Sequence, residues 1–349
     1  MPFQRLSESV QTLYAELLDQ SIQAEAEAAL LQAPQGVFVS KTIKGGIYWY
    51  LQRAEGDRRR QHYLGRESPA LLAWMEQVRE ARARMTVDEA QRARLCGMLA
   101  AGGAVTESAQ IVKVLSLLGE SGVFRMGGVL VGTQAFLVYG NMLGVRFDQQ
   151  ALRTQDVDVA QDRAIGIALS QEAGKVDVER SLTGSGMGFF AVPGLDPREP
   201  STSFKIRGRE LRVDFLTPLL GADSSQPVSL PALGVSAQPL RHLDYLIEGT
   251  AQAVVVGGSG VLVNVPHPAR FAFHKLWISS RRSVSEQTKA AKDLRQAGNL
   301  LDVLLEDRPA DVQAAWKALE RITSMANAVR KVTARLAPEL RGRLPSSAS

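Results

Sequence analysis

The sequence contains very little cysteine and histidine. Among its 349 residues there are one cysteine, Cys96, and four histidines at separate positions. A single cysteine cannot form a disulfide within the chain, and these residues do not supply the usual ligands of a structural zinc site. We therefore expect the protein to belong to a reducing, cytoplasmic compartment.

Long apolar runs are also absent. No run approaches the roughly 20 apolar residues of a membrane span, and the first residues, MPFQRLSESVQ, lack the apolar core of a signal peptide. We expect no membrane contact. The chain is 45% hydrophobic and 22% charged, which is typical of a globular protein, and its length predicts two or more domains. The net charge of +5 suits a phosphate-bearing partner, but many proteins without one share it.

The most informative stretch runs from 129 to 160, VLVGTQAFLVYGNMLGVRFDQQALRTQDVDVA. It predicts a buried strand, a turn at Gly132 and Thr133, a helix, a loop and a second strand that carries Asp156 and Asp158. Because side chains alternate along a strand, both carboxylates point to the same side, away from the core. Neighbouring carboxylates repel each other, and a divalent cation such as Mg²⁺ relieves that repulsion.

A third carboxylate follows on a later strand. Residues 202–207 and 210–216 predict a hairpin, in which Asp214 lies on the polar face of a strand that otherwise feeds a core. The glycine-rich run at 183–188 lacks the Gly-Lys-Ser/Thr ending of a phosphate-binding P-loop. A plain connection between elements explains it better than a phosphate loop.

Residues 36–65 contain three β-rich runs and predict an antiparallel meander. Basic side chains alternate there with aromatic ones, a pattern that favours binding of single-stranded nucleic acid through phosphate contacts and base stacking. A half-buried sheet whose aromatics pack on flanking helices needs the same pattern, so both interpretations stay open. The candidate nucleic-acid contacts are Lys44, Trp49, Arg58, Arg59 and Arg60.

The order of a Gly-Thr turn, an Asp-x-Asp strand and a later Asp strand resembles the polymerase-β-like nucleotidyltransferase superfamily. The segments GGVLVGTQAF, RTQDVDVA, LRVDFLTP, VNVPHPARFAFHKL and KAAKDLRQA, in that order, are similar to a bacterial branch of uncharacterised nucleotidyltransferases. That branch is distantly similar to the AbiEii and MenT toxins. The resemblance covers residues 122–305.

The resemblance implies Mg²⁺-dependent or Mn²⁺-dependent transfer of a nucleoside monophosphate from an NTP to an acceptor hydroxyl, with Asp156, Asp158 and Asp214 as metal ligands and catalytic residues. The acceptor is an RNA 3′ end, a protein hydroxyl or a small molecule. The basic meander favours RNA, and a toxin that modifies tRNA is a specific version of this. An antitoxin or a second copy of the chain are possible partners. The nucleotide-binding set implied by the resemblance or by position is Gly132, Thr133, Arg153, Lys275, Lys289 and Asp293.

Two features of this set leave alternatives open. The interval between Gly132 and Asp156 is longer than is usual in the superfamily, so residues 140–153 form a substrate flap or the phosphate turn lies instead at 127–128. Lys289 and Asp293 are one helical turn apart, which also describes a surface ion pair. Lys275 also fits a lysine that extends from an amphipathic helix to solvent.

We predict an α+β fold. Residues 1–121 would form N-terminal helices with the meander at 36–65, residues 122–238 a nucleotidyltransferase core with a mixed sheet, residues 239–340 a mostly helical domain or bundle, and residues 341–349 a disordered tail. Residues 4–33 are predicted to be one helix. Two other functions stay open. One is a non-catalytic nucleic-acid-binding protein that keeps the fold, and the other is a small-molecule adenylyltransferase.

Overall fold

The computed structural model of the protein describes residues 3–31, 36–55, 58–147, 154–173, 176–193 and 201–345. The fold is α+β, with a mixed central sheet, as the sequence predicts. The N-terminal elements are β1 (Phe3–Arg5), α1 (Glu8–Leu31), β2 (Val37–Ile43), β3 (Gly46–Glu55), β4 (Arg58–Arg66), α2 (Pro69–Ala101) and α3 (Ala109–Glu120). Strands β2, β3 and β4 form an antiparallel sheet in the segment where the sequence predicts a meander.

The central sheet contains strands from the middle of the chain. Its elements and their neighbours are β5 (Val129–Val131), α4 (Gly132–Met142), β6 (Val145–Phe147), β7 (Asp156–Ala160), α5 (Arg163–Ala173), α6 (Val178–Thr183), β8 (Phe189–Ala191), β9 (Ser203–Ile206), β10 (Arg212–Pro218), β11 (Val228–Leu230) and β12 (Val235–Leu240). The strand order is β11-β12-β10-β7-β5, with β9 also paired to β10 and β8 paired to β9. Strand β10 runs parallel to β7 and β12, whereas β5 runs antiparallel to β7.

A hairpin and a group of helices complete the chain. They are α7 (Leu243–Ile247), β13 (Thr250–Val255), β14 (Val261–Pro266), α8 (Pro268–Arg281), a 3₁₀ turn (Val284–Glu286), α9 (Gln287–Asp307), α10 (Pro309–Glu320), α11 (Thr323–Thr333) and α12 (Pro338–Arg341). Helix α12 ends at the first residue of the segment predicted to be a disordered tail. Residues 346–349 lie outside the described residues.

The first helix differs from its prediction. It begins at Glu8, and the residues before it form β1, which pairs antiparallel with β6. Phe3 lies opposite Phe147, and Arg5 lies opposite Val145. A three-residue strand carries too little periodicity to be recognised in sequence, because it is stable only when its distant partner supplies the hydrogen bonds.

Two groups of buried residues hold these elements together. The larger one surrounds the central sheet and extends into α8, α9, α10 and α11. The smaller one joins α1 and α2 to β13 and includes Tyr14, Leu17 and Val254. The Tyr14 hydroxyl donates to the Val254 carbonyl at 3.3 Å and accepts from the Val254 N–H at 3.0 Å. Among the described residues, no helix is both long and apolar enough to cross a membrane.

Candidate active site

The three aspartates meet on two neighbouring parallel strands. In the register of β7 and β10, Asp158 lies opposite Asp214, and Asp156 lies opposite Arg212. The residues between them, Val157 and Val213, are fully buried. The alternation of each strand therefore sends the valines into the core and the carboxylates to the opposite face.

Gly132 approaches one of these carboxylates closely. Val131 pairs with Asp158 across β5 and β7, and the chain turns into α4 at the next residue. Gly132 has a φ of +67°, and a Cβ placed there would collide with the Asp158 carboxylate. Only glycine fits this position, because it tolerates the left-handed conformation and has no side chain. The N-terminus of α4 thus begins directly beside the carboxylates.

Buried side chains fix the start of α4. Thr133 and Gln134 are both buried, and the Gln134 amide donates to the Thr154 carbonyl at 3.0 Å. This bond joins the turn to the residues that lead into β7. The free N–H groups of a helix N-terminus and the Thr133 hydroxyl are suitable donors to phosphate oxygens.

Asp158 is held in an environment that disfavours its charge. Burial, followed by the nearby charges of Asp214 and Asp156, raises the pKa of Asp158 to about 6. Lys275 and Arg212 oppose this rise. Lys275, from a helix 117 positions later in the chain, therefore lies near enough to act on the carboxylate electrostatically. A cation bound among the carboxylates would favour the ionised form further.

Asp214 has partners that the sequence did not indicate. Arg212 Nε donates to Asp214 Oδ1 at 2.7 Å, and the Ser203 hydroxyl donates to the same oxygen. Arg212 Nη2 also contacts Ser203 Oγ at 2.9 Å. Strand alternation in the sequence already puts Arg212 on the same face as Asp214. The β9–β10 register, which the structure provides, puts Ser203 opposite Asp214.

The donor set suits a hard divalent cation, although the side chains are not arranged around one. Within the described ranges, no three His, Cys, Asp or Glu groups form a cluster that could hold a metal ion. One oxygen of Asp214 is engaged by Arg212 and Ser203, while Asp156 is exposed. Carboxylate oxygens are nevertheless the preferred ligands of Mg²⁺.

Helices α8 and α9 present a buried charged group to this face. Lys275 Nζ lies 2.8 Å from Asp293 Oδ1, and Arg282 Nε lies 3.2 Å from Asp293 Oδ2. The side chains of Lys275 and Asp293 are 11% and 4% exposed. The ammonium of Lys275 also lies 5.4 Å from the centre of the Phe271 ring. A bridged carboxylate and an aromatic ring thus restrict Lys275 to one position.

Two lysines of α9 point in different directions. The side chain of Lys289 is 69% exposed and lies 3.9 Å from Glu286, so the structure does not bring it to Asp293 or to the aspartates. Lys292 is half-buried, and its pKa is lowered by burial and by Lys275, against the attraction of Asp293, Asp156 and Asp158. Lys292 is therefore the less exposed of these two lysines and the one whose charge interacts with Asp156 and Asp158. The predicted nucleotide-binding set did not include Lys292, although it directly precedes Asp293 in the sequence.

His274 lies on α8, directly before Lys275, and is buried. It is 5% exposed, its ring lies 5.5 Å from that of Trp277, and its Nε2 has no hydrogen-bond partner among the described residues. Burial, together with the charge of Lys275, lowers the pKa of His274 to about 3. A neutral, enclosed imidazole agrees with a structural role.

The remaining predicted contacts lie elsewhere or outside the description. Arg153 and the side chain of Arg58 are outside the described residues. Lys44, Arg59 and Arg60 are exposed on the β2–β4 sheet. Trp49 is partly buried and donates to Glu67 at 3.0 Å. The structure therefore joins Gly132, the aspartates, Lys275 and Asp293 in one site, and leaves the sheet contacts on the separate β2–β4 sheet.

Comparison with protein-family models gives two matches. A model described as Nucleotidyltransferase matches residues 109–320, which is more than half of the chain. A model described as a domain of unknown function, DUF6788, matches residues 4–80. Searches of curated proteins and of solved structures find no significant match. The first match includes all three aspartates, Gly132 and both helices that carry Lys275 and Asp293.

Proposed function

The chain belongs to the nucleotidyltransferase family, and we propose that it transfers the nucleoside monophosphate of an NTP to an acceptor hydroxyl of RNA with a divalent cation, Mg²⁺ or Mn²⁺. The observation that carries this proposal is the β7–β10 register, which sets Asp158 opposite Asp214 and beside Gly132 at the start of α4. These are the groups that a metal-bound triphosphate requires at one place.

The carboxylates would hold the metal. Asp156, Asp158 and Asp214 supply hard oxygen ligands from adjacent strands, and a cation there would supply neutralisation of charge on the attacking and leaving oxygens. Asp214 lies in register with Asp158, and in this proposal it would accept the proton of the acceptor hydroxyl. The backbone N–H groups at the start of α4 and the Thr133 hydroxyl bind the phosphates and orient the NTP.

Lys275 is suited to bind the leaving phosphates. Its bond to Asp293 and its contact with Phe271 limit the freedom of a side chain that is otherwise flexible. An ammonium held in advance loses little entropy when it meets the charge that develops on pyrophosphate. Lys292, directly before Asp293 on α9, is a second cation whose charge interacts with Asp156 and Asp158.

RNA is favoured as the acceptor by the chain outside the site. The β2–β4 sheet presents basic and aromatic side chains, which bind phosphates and bases. A toxin that modifies tRNA, neutralised by an antitoxin, is the most specific form of this proposal. Induced synthesis of the wild type should then arrest growth while Asp158→Asn should not, and normal growth with both would contradict the toxin form alone.

The transfer itself is tested by incubating the purified protein with labelled NTPs, Mg²⁺ and total RNA. We expect label to enter RNA and Asp158→Asn to reduce the rate by more than about 100-fold, since it removes charge at the reacting centre. The control is Asp302→Asn, which removes the charge of a partly buried carboxylate bound to Arg343. Equal transfer by wild type and Asp158→Asn, or no transfer to any acceptor, would refute the proposal.

A further inference from the structure

The β2–β4 sheet has one face that packs on the protein. Leu51 is 3% exposed, and the Phe38 ring lies 5.7 Å from that of Trp74 on α2. Phe38 lies opposite Leu51 in the register of β2 and β3, so both occupy the same face. Packing against the protein explains the apolar residues of this inner face. It does not explain the aromatic residues of the outer face.

Three tyrosines form a cluster on the outer face. Tyr50 lies opposite Tyr63 in the register of β3 and β4, with ring centres 5.4 Å apart. Tyr48, two residues before Tyr50 on the same strand, lies 6.4 Å from Tyr63. Tyr63 is 59% exposed. Rings that served only as a core would be covered, whereas Tyr63 is exposed to solvent and Tyr48 and Tyr50 are partly exposed beside it.

Cationic and amide groups surround the cluster. Lys41 Nζ lies 4.8 Å from the centre of the Tyr50 ring, and Arg66 lies opposite Tyr48 in the register. Both side chains are exposed. Gln61 and Gln52, bonded to each other at 2.8 Å, lie on the next position of the same face. The surface thus combines stacking rings with groups that bind phosphates and base edges.

We propose that this outer face binds single-stranded RNA, with bases stacked on Tyr63 and Tyr50 and with Lys41 and Arg66 on the phosphates. Single strands are required because the faces of paired bases are covered by their neighbours. The choice of RNA over DNA rests on the proposed function, in which an RNA hydroxyl is the acceptor. The site that holds the RNA is then distinct from the site that transfers the nucleotide.

The test measures binding alone, without NTP and with EDTA. Fluorescence anisotropy of the full chain with a labelled 12-nucleotide RNA should show an affinity that falls with rising salt. Tyr63→Ala should weaken it by roughly 5-fold to 100-fold, the range for one stacked base, and Tyr63→Phe should restore it. Lys41→Ala should weaken binding more than Lys317→Ala, which removes an exposed lysine from α10. Circular dichroism confirms that each variant is folded.

Three outcomes would overturn the inference. They are equal affinity of wild type and Tyr63→Ala, equal or tighter binding of a DNA strand of the same sequence, and preferred binding of a duplex. Label transfer measured in parallel separates the two proposals. Transfer to RNA by the wild type, with equal affinity of wild type and Tyr63→Ala for RNA, refutes the surface alone, whereas RNA binding without any transfer refutes the proposed function alone.

Discussion

The buried imidazole of His274 should make the protein lose stability in mild acid. Its pKa is lowered from 6.5 to about 3 in the folded chain, so the unfolded chain binds a proton that the folded chain excludes. Stability is therefore complete above pH 6.5 and declines as the pH falls toward 3. Because pH 5 lies between the two pKa values and about 1.5 units below that of the unfolded chain, the loss from this one group at pH 5 is about 2 kcal/mol.

The measurement is urea unfolding at pH 8, 6 and 5, in wild type and in His274→Phe, which keeps a ring of similar size without a titrating group. The phenylalanine variant should lack the loss of about 2 kcal/mol between pH 8 and 5, whatever its stability at pH 8. His62→Phe, at an exposed position of β4, is the matched control and should follow wild type. Parallel curves for wild type and His274→Phe would refute the reasoning.

Three further predictions test the site and the fold, the first with a control substitution. Lys275→Met should reduce transfer at least about 10-fold, because a phosphate partner is lost, whereas Lys289→Met should leave the rate unchanged; equal rates would contradict the role of Lys275. Gly132→Ala should abolish transfer, since its methyl group collides with the Asp158 carboxylate, and an active alanine variant would show that the turn is adaptable. Tyr14→Phe should lower the free energy of unfolding by about 1–3 kcal/mol, because it leaves buried polar groups of β13 unpaired, and an unchanged urea midpoint would refute this.

Strand alternation made the carboxylates predictable. Asp156 and Asp158 were assigned to one face from their spacing alone, and Asp214 was assigned to the polar face of a later strand in the same way. The central sheet is mixed, as the sequence predicts, and the family match agrees with the resemblance to nucleotidyltransferases. The pairing of Asp158 with Asp214 was not predictable from either strand, since register depends on packing between segments that are distant in the chain.

The orientation of α9 was the less predictable part of the site. Lys289 and Asp293 share a helical face by spacing, yet Asp293 is buried against α8 while Lys289 remains in solvent. The face of a helix that becomes buried depends on the helix it packs against. The sequence therefore did not distinguish Lys289 from Lys292, three positions later, and the prediction named Lys289. The role of each residue at the site stays a prediction.

Helix α1 packs against the β13–β14 hairpin, and this contact connects two segments that are distant in the chain. One family match ends at residue 80 and the other begins at residue 109, so the two models cover separate segments of the chain. Yet α2 continues from Pro69 to Ala101 across the first boundary, and Tyr14 binds both polar groups of Val254. Replacing the N-terminal segment would remove Tyr14, which binds Val254 of β13, and β1, which pairs with β6. The two matched segments therefore depend on each other in the folded chain, and a replacement for the N-terminal segment has to provide equivalents of α1 and β1.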